Sequence, residues 1–141
     1  MDDVKWMKEA IKQAKKAESY DEVPIGCVIV KDDKVIARGY NKRETLQQSI
    51  AHAEIMAIQK ACKKLNTWRL EDCILYVTLE PCEMCKLLIQ ESRINHVYYL
   101  QKRGILNNKY NQTKYEQMYA FDSVIFDALM ENFFKKIREK K

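Results

Sequence analysis

Residues 73–91 read CILYVTLEPCEMCKLLIQE, an apolar strand pattern that runs directly into a helix pattern. The residues up to Leu79 are mostly aliphatic, aromatic or β-branched, as in a strand that is buried on both faces. Pro81 ends this strand, and helical spacing follows to the end of the stretch. Cys82 and Cys85 are three residues apart in the first turn, so their thiols share one helix face. The stretch therefore predicts a strand–helix junction that presents two thiols together.

A second helix start lies upstream, at Ala51-His52-Ala53-Glu54. Apolar residues then recur with helical spacing, which places His52 and Glu54 in the first turn of this helix. Strand ends that precede both helices would bring the two helix starts to the same edge of a sheet, where open α/β folds place their ligands. The partial positive charge of a helix N-terminus also favours the thiolate form of Cys82 and Cys85.

One histidine and two cysteines are three good zinc ligands, and they leave a tetrahedral zinc one open position for an acidified water. Glu54 is two residues from the candidate ligand His52, close enough to move the protons of that water. A lone C-x-x-C could instead be a redox pair or a structural zinc site. Structural zinc needs a fourth protein ligand, and the other histidine, His96, lies in a predicted strand as a core or surface residue. We therefore expect one catalytic Zn²⁺ per chain, bound by His52, Cys82 and Cys85, with Glu54 as the proton shuttle.

The rest of the chain reads as one α/β domain over residues 1–141. The pattern predicts a helix over about 3–18, a hairpin of strands at 25–30 and 35–40, a polar and irregular connection over 41–49, and a further strand at 94–100. Strands that alternate with helices favour a three-layer α/β/α sandwich. The stretch from 101 to 119 gives no clear pattern.

A last helix is expected from Phe121 to about Lys140, with Asp122 or Ser123 as its N-cap. Its apolar stripe is expected to contain Val124, Ile125, Leu129, Phe133 and Ile137.

Composition limits the class of protein. The chain has 141 residues, of which 47% are hydrophobic, enough for a core in one domain. Its five cysteines, an odd number without a secretory signal, argue against a disulfide framework and favour a cytoplasmic protein. No apolar run approaches the roughly 20 residues of a membrane span. The net charge is +5, and five basic residues are concentrated in residues 135–141. Such a tail is either a solvated helix end or a contact for a polyanion such as RNA.

The combined motifs resemble a known family. H-x-E together with P-C-x-x-C is the signature of the cytidine deaminase-like zinc deaminases. Further segments are similar to the bacterial tRNA-specific adenosine deaminases, namely Glu22-Val23-Pro24-Ile25-Gly26, Gly39-Tyr40-Asn41, Ala51 to Ala57 and Leu75 to Cys85. The resemblance covers about residues 4–100, and Phe133-Phe134 near the end.

This resemblance implies a mixed sheet of roughly five strands between helices, a homodimer, and zinc-dependent deamination of the wobble adenosine of a tRNA anticodon stem-loop to inosine, most often in an arginine tRNA. It also implies substrate contacts. Asn41 corresponds to an asparagine that contacts the bound base, and Phe134 and Arg138 fall where the terminal helix approaches RNA.

One segment departs from the family pattern. Members carry a Gly/Ala-rich loop with a lysine after the fourth strand, and Tyr99 to Lys109 does not keep it. The nearest alternative function is a deaminase of a free base or nucleotide, such as guanine, cytosine or deoxycytidylate, against which the basic tail and Phe133-Phe134 argue. A non-catalytic RNA-binding subunit is a second alternative, against which Glu54 argues.

Overall fold

The computed structural model describes residues 3–103, 114–118 and 123–139. The helices are α1 (Asp3–Ser19), α2 (Arg43–Leu46), α3 (Ala53–Leu65), α4 (Glu83–Glu91) and α5 (Ser123–Glu139). The strands are β1 (Gly26–Lys31), β2 (Lys34–Tyr40), β3 (Ile74–Leu79), β4 (His96–Gln101) and β5 (Lys114–Gln117).

The strands form one five-stranded sheet in the order β2-β1-β3-β4-β5. β1 is antiparallel to both β2 and β3, whereas β3, β4 and β5 are parallel. The mixed five-stranded sheet implied by the resemblance is confirmed. β5 lies in the stretch for which the sequence pattern gave no prediction.

Helices cover both faces of the sheet, because alternate residues of a strand point to opposite sides. Cys27 and Ile29 of β1 belong to a core shared with α3 and α4, and Val28 and Val30 belong to a core shared with α1 and Phe126 of α5. The predicted three-layer α/β/α sandwich is confirmed by this arrangement. Both cores contain side chains from the central strands β1, β3 and β4.

Gly39 fixes how closely α3 lies against the sheet. A Cβ atom at Gly39 would lie 2.4 Å from the backbone oxygen of Ala53 and 2.7 Å from the backbone nitrogen of Ala57. Only glycine therefore allows the first turn of α3 to pack directly on β2. That close packing places His52 and Glu54 at the edge of the sheet.

The polar connection over 41–49 was expected to be irregular, and this expectation is wrong for its centre, where α2 forms. The buried Glu22 carboxylate accepts hydrogen bonds from the backbone N–H groups of Glu44 (3.1 Å) and Thr45 (2.6 Å). These are first-turn donors, which have no partner within a helix. Glu22, which lies 22 and 23 positions before these two residues, thus stabilises α2. Local sequence spacing does not reveal such a contact.

The predicted apolar stripe of α5 is wrong at three of its five positions. Val124, Ile125 and Ile137 are 73%, 48% and 39% exposed, whereas Phe126 is completely buried. The helix has apolar residues on more than one side. Phe126 packs into the core that the sheet shares with α1, and Phe133 is also buried. The predicted N-cap Asp122, the helix residues Phe121 and Lys140, and part of the stretch from 101 to 119 lie outside the described residues.

In the described ranges, no helix combines the length and the apolar character that crossing a membrane requires.

Candidate metal centre and active site

Two helix starts build the centre of the site. His52 is the N-cap residue of α3 and Cys82 is the N-cap residue of α4, and both have extended backbone conformations. Neither side chain hydrogen-bonds to the start of its own helix. Both side chains are therefore available for a shared ligand, and Cys85 joins them from the first turn of α4.

The structure brings the three sequence-predicted ligands together. His52 Nδ1 lies 3.7 Å from Cys82 Sγ and 3.6 Å from Cys85 Sγ, and the three ligand atoms all lie within 4.8 Å of one another. With Zn–S of about 2.3 Å and Zn–N of about 2.0 Å, tetrahedral coordination places sulfur and nitrogen ligands about 3.6 Å apart. The donor set and its spacing therefore fit zinc. Within the ranges that the structure describes, no fourth cysteine, histidine or carboxylate joins this group.

The two thiols lie next to each other and shift each other's pKa in opposite directions. The pKa of Cys82 is lowered to about 3, because the Cys85 thiol and the His52 ring both hydrogen-bond to it. The same interaction, together with burial, raises the pKa of Cys85. A zinc ion would need both sulfurs as thiolates, and the lowered pKa of Cys82 favours that form.

Glu54 lies beside the ligands and is 3% exposed. Burial raises the pKa of its carboxyl above the usual value. A carboxyl whose pKa moves toward neutral pH is better suited to both accepting and donating protons. The side chain lines the same cavity as His52, so it reaches any molecule bound there.

That cavity has a volume of about 230 Å³. Asn41 and Phe134, which were predicted to contact substrate, both line it. Arg138, the third predicted contact, does not line it and lies exposed one turn beyond Phe134 on α5. The cavity wall also includes apolar side chains from the segments around it, namely Val23, Ile25, Leu79 and Met130.

The amide of Asn41 holds the corner between β2 and α2. Its Oδ1 accepts a hydrogen bond from the Arg43 N–H at 3.1 Å, and its Nδ2 donates to the Val23 carbonyl at 3.4 Å. These bonds fix the orientation of the amide at the cavity wall. A planar base entering the cavity would therefore meet a preorganised polar group.

Two cavity residues were missed from the sequence, Arg43 and Arg103. Arg43 begins α2, in the connection that was expected to be irregular. Arg103 follows β4, at the sheet edge that also carries the ligands. The rule that parallel strands present their ligand groups at their carboxyl ends could have identified Arg103.

A protein-family model described as the cytidine and deoxycytidylate deaminase zinc-binding region matches residues 1–101. A tRNA-specific adenosine deaminase from Bacillus subtilis is 43% identical over 146 residues, covering 96% of this chain and 91% of the relative. The zinc region and the overall length of the chain thus agree with the same group of proteins.

Two solved structures are also similar. One, from studies of A-to-I editing by tRNA:A34 deaminases at the wobble position of transfer RNA, is 44% identical with a TM-score of 0.70 and covers 72% of this chain and 78% of the other. The other, a guanine deaminase from Bacillus subtilis, is 30% identical with a TM-score of 0.69 and covers 94% of this chain and 95% of the other.

Proposed function

The chain belongs to the cytidine and deoxycytidylate deaminase zinc-binding family, in the branch of the tRNA-specific adenosine deaminases, and we propose that it deaminates adenosine to inosine at the wobble position of a tRNA anticodon. One observation carries this proposal. The buried carboxylate of Glu54 lines the same cavity as His52, which belongs to a zinc-fitting His-Cys-Cys group, in a chain that is 43% identical over 146 residues to a tRNA-specific adenosine deaminase. We further propose that an arginine tRNA is a substrate.

His52, Cys82 and Cys85 would hold one Zn²⁺ per chain. When bound, zinc supplies Lewis acidity that makes a water at its open position acidic near neutral pH. Glu54 accepts a proton from the attacking water as the new C6–O bond forms. It donates this proton to N1 of the ring. It then takes up the second proton from the new C6 hydroxyl and donates it to the leaving amine, as the C6–N bond breaks to release ammonia. Water is consumed and ammonia is produced, so atoms and charge balance.

We assign substrate contacts to Asn41, Phe134 and Arg138. The fixed amide of Asn41 faces the cavity and can hydrogen-bond to the base edge. Phe134 packs edge-on against the buried Phe133, with ring centroids 5.2 Å apart, and this contact orients its exposed ring at the cavity. Arg138, with the basic end of α5, would contact phosphates of the anticodon stem-loop.

Replacing Phe134 by Ala should weaken the use of RNA without affecting metal binding. Stacking of a base on an aromatic ring contributes about 1–3 kcal/mol, so kcat/KM for an anticodon stem-loop should fall about 5- to 150-fold. Steady-state kinetics with zinc analysis measure this. Val124→Ala is the matched control, because Val124 is an exposed apolar residue on the same helix, outside the cavity. Equal kinetics for the two variants would contradict the assignment.

The rival function is deamination of a free base or nucleotide. The similarity to a guanine deaminase is the reason to test it. The test is to offer an anticodon stem-loop with adenosine at the wobble position beside guanine, cytosine and deoxycytidylate, and to measure ammonia and inosine. We expect inosine in the stem-loop alone. Ammonia only from a free base or nucleotide would replace the proposal with its rival.

We infer that the protein is a homodimer and that the outer face of α3 and α4 is the interface. A groove lined by Ile58, Cys62, Trp68 and Leu88 runs along this face, and Leu87 and Met84 are exposed nearby. Trp68 follows the C-terminal end of α3, about 20 Å along the helix from His52. That distance favours an interface role for Trp68 over stacking on a base in the cavity.

Leu87→Lys should convert the dimer to a monomer, because it places a charge in the apolar face. Analytical ultracentrifugation measures the change. Val124→Lys also places a lysine at an exposed apolar residue, on α5, and it should leave the protein with the mass of a dimer in solution. A monomeric parent protein, or a dimer that survives Leu87→Lys, would contradict this interface.

We propose that residues 1–141 act as one zinc-dependent deaminase domain in the cytoplasm, where tRNA is available.

A further inference from the structure

Arg103 occupies a position at the cavity that the mechanism does not use. It lines the wall shared by His52 and Glu54 and comes from the end of β4. Asn41 and Arg43 approach the same cavity from the end of β2. In the sheet, β1 and β3 lie between β2 and β4. Arg43, which follows β2, and Arg103, which follows β4, therefore approach the cavity from two different sides.

Glu80 holds the Arg103 segment in place. The backbone N–H of Arg103 donates to Glu80 Oε1 at 3.2 Å, and its Nε donates to the Glu80 backbone oxygen at 3.0 Å. Glu80 is itself buried and immediately precedes the P-C-x-x-C segment. The position of Arg103 is thus tied to the junction that carries Cys82 and Cys85.

The charge of Glu80 is balanced by a different residue. Lys86 Nζ lies 3.1 Å from Glu80 Oε2, both side chains are buried, and Lys86 also lies over the Tyr115 ring at 4.6 Å. In the described parts of the chain, no carboxylate lies within 4.0 Å of the Arg103 guanidinium. Arg103 therefore presents an exposed positive charge at the cavity that no ion pair with another described residue neutralises.

The two Nη groups of the Arg103 side chain remain available as hydrogen-bond donors. The two bonds to Glu80 use the backbone N–H and Nε, and the Nη groups make no hydrogen bond to another described residue. Two Nη groups in a planar fork match the oxygens of a phosphate. A free guanine or cytosine base carries no anion to meet this fork, whereas an adenosine within RNA has a phosphodiester on each side.

We propose that Arg103 is a substrate-binding residue that holds a phosphodiester next to the target adenosine, so that the cavity favours a base within a polynucleotide over a free base. This inference rests on the proposed function, because it takes RNA as the substrate. It assigns a role to a residue in the segment that departs from the family pattern.

The test measures binding separately from turnover. In a Glu54→Ala background, the affinity for an anticodon stem-loop is measured over a range of salt concentrations for Arg103→Gln and for Lys102→Gln. Both changes remove one exposed positive charge at adjacent positions, and only Arg103 lines the cavity. Arg103→Gln should weaken binding about 10- to 100-fold and make the slope of log K against log salt shallower by about 0.7 to 0.9. Lys102→Gln should leave both close to the parent, and equal effects of the two changes would overturn the proposal.

A second arm locates the phosphate. Stem-loops carry an uncharged methylphosphonate on the 5′ or the 3′ side of the target adenosine. At one of these two linkages, the methylphosphonate should lower the affinity of the parent protein for the stem-loop. The same methylphosphonate should not lower the affinity of Arg103→Gln any further, because the phosphate contact is already lost. If the methylphosphonate and Arg103→Gln lowered the affinity independently of each other at both linkages, the assignment would be wrong. Arg103→Lys should restore the salt slope but not the full affinity, because an ammonium lacks the planar fork.

Failure of the function and failure of this inference give different results. If the wild-type protein makes no inosine but RNA binding depends on Arg103 as described, the deaminase proposal fails and the phosphate contact stands. If inosine forms and the salt slope does not depend on Arg103, the phosphate contact fails alone.

Discussion

Replacing Glu54 by Ala should lower kcat for inosine formation by at least about 10²- to 10⁴-fold, the usual contribution of a positioned general acid–base group. Glu54 moves every proton in the mechanism, and no second carboxylate of the described residues lines the cavity. His52, Cys82 and Cys85 remain intact, so the variant should still bind one zinc per chain. Single-turnover kinetics together with metal analysis measure both quantities.

Two further variants sharpen this result. Glu54→Gln keeps the size and a hydrogen-bonding group but cannot take up a proton, so it should be as inactive as Glu54→Ala. Glu83→Gln alters an exposed glutamate in the first turn of α4, next to Cys82, and should retain full activity. If Glu54→Ala kept its rate within about tenfold of the parent, the proton-shuttle role would be wrong.

Replacing Cys85 by Ala should remove both zinc and activity. The remaining His52 and Cys82 offer two ligands, one fewer than catalytic zinc sites use. Inductively coupled plasma mass spectrometry should find far less than one zinc per chain, and inosine formation should fall below detection. Circular dichroism on the same sample shows whether the fold is retained.

Cys73→Ala is the matched control for this experiment. Cys73 is also a buried cysteine, and it lies outside the group of ligand atoms. The control should keep one zinc per chain. A Cys85→Ala protein that retained stoichiometric zinc would show that the metal is held by other residues.

The centre of the site could be predicted from the sequence because its parts are local. His52 and Glu54 are two residues apart at one helix start, and Cys82 and Cys85 are three apart at another, so helical spacing fixes each pair. The structure then brings His52, Cys82 and Cys85 together as possible ligands of one ion. Open α/β folds place their ligands at the carboxyl ends of the strands, so the two helix starts were expected to lie together at that edge of the sheet.

Other parts of the structure depend on contacts between distant residues and could not be predicted in this way. α2 requires the carboxylate of Glu22, and the buried side of α5 is selected by the sheet rather than by the pattern of the helix. β5 has four residues, three of them polar, and it pairs with β4 as a parallel edge strand. For Arg103, the rule that ligands lie at the carboxyl ends of the strands indicates the correct end of β4, but the hydrogen bonds to Glu80 that hold the residue at the cavity are not visible in the sequence pattern.

The most direct test of the proposed function is to map inosine in a complete tRNA. A transcribed arginine tRNA with anticodon ACG is incubated with the zinc-loaded wild-type protein or with Glu54→Ala, and inosine is located by sequencing. The account predicts inosine at the wobble position with the wild-type protein and none with the variant. No inosine from the wild-type protein, with ammonia released from guanine, cytosine or deoxycytidylate instead, would contradict it.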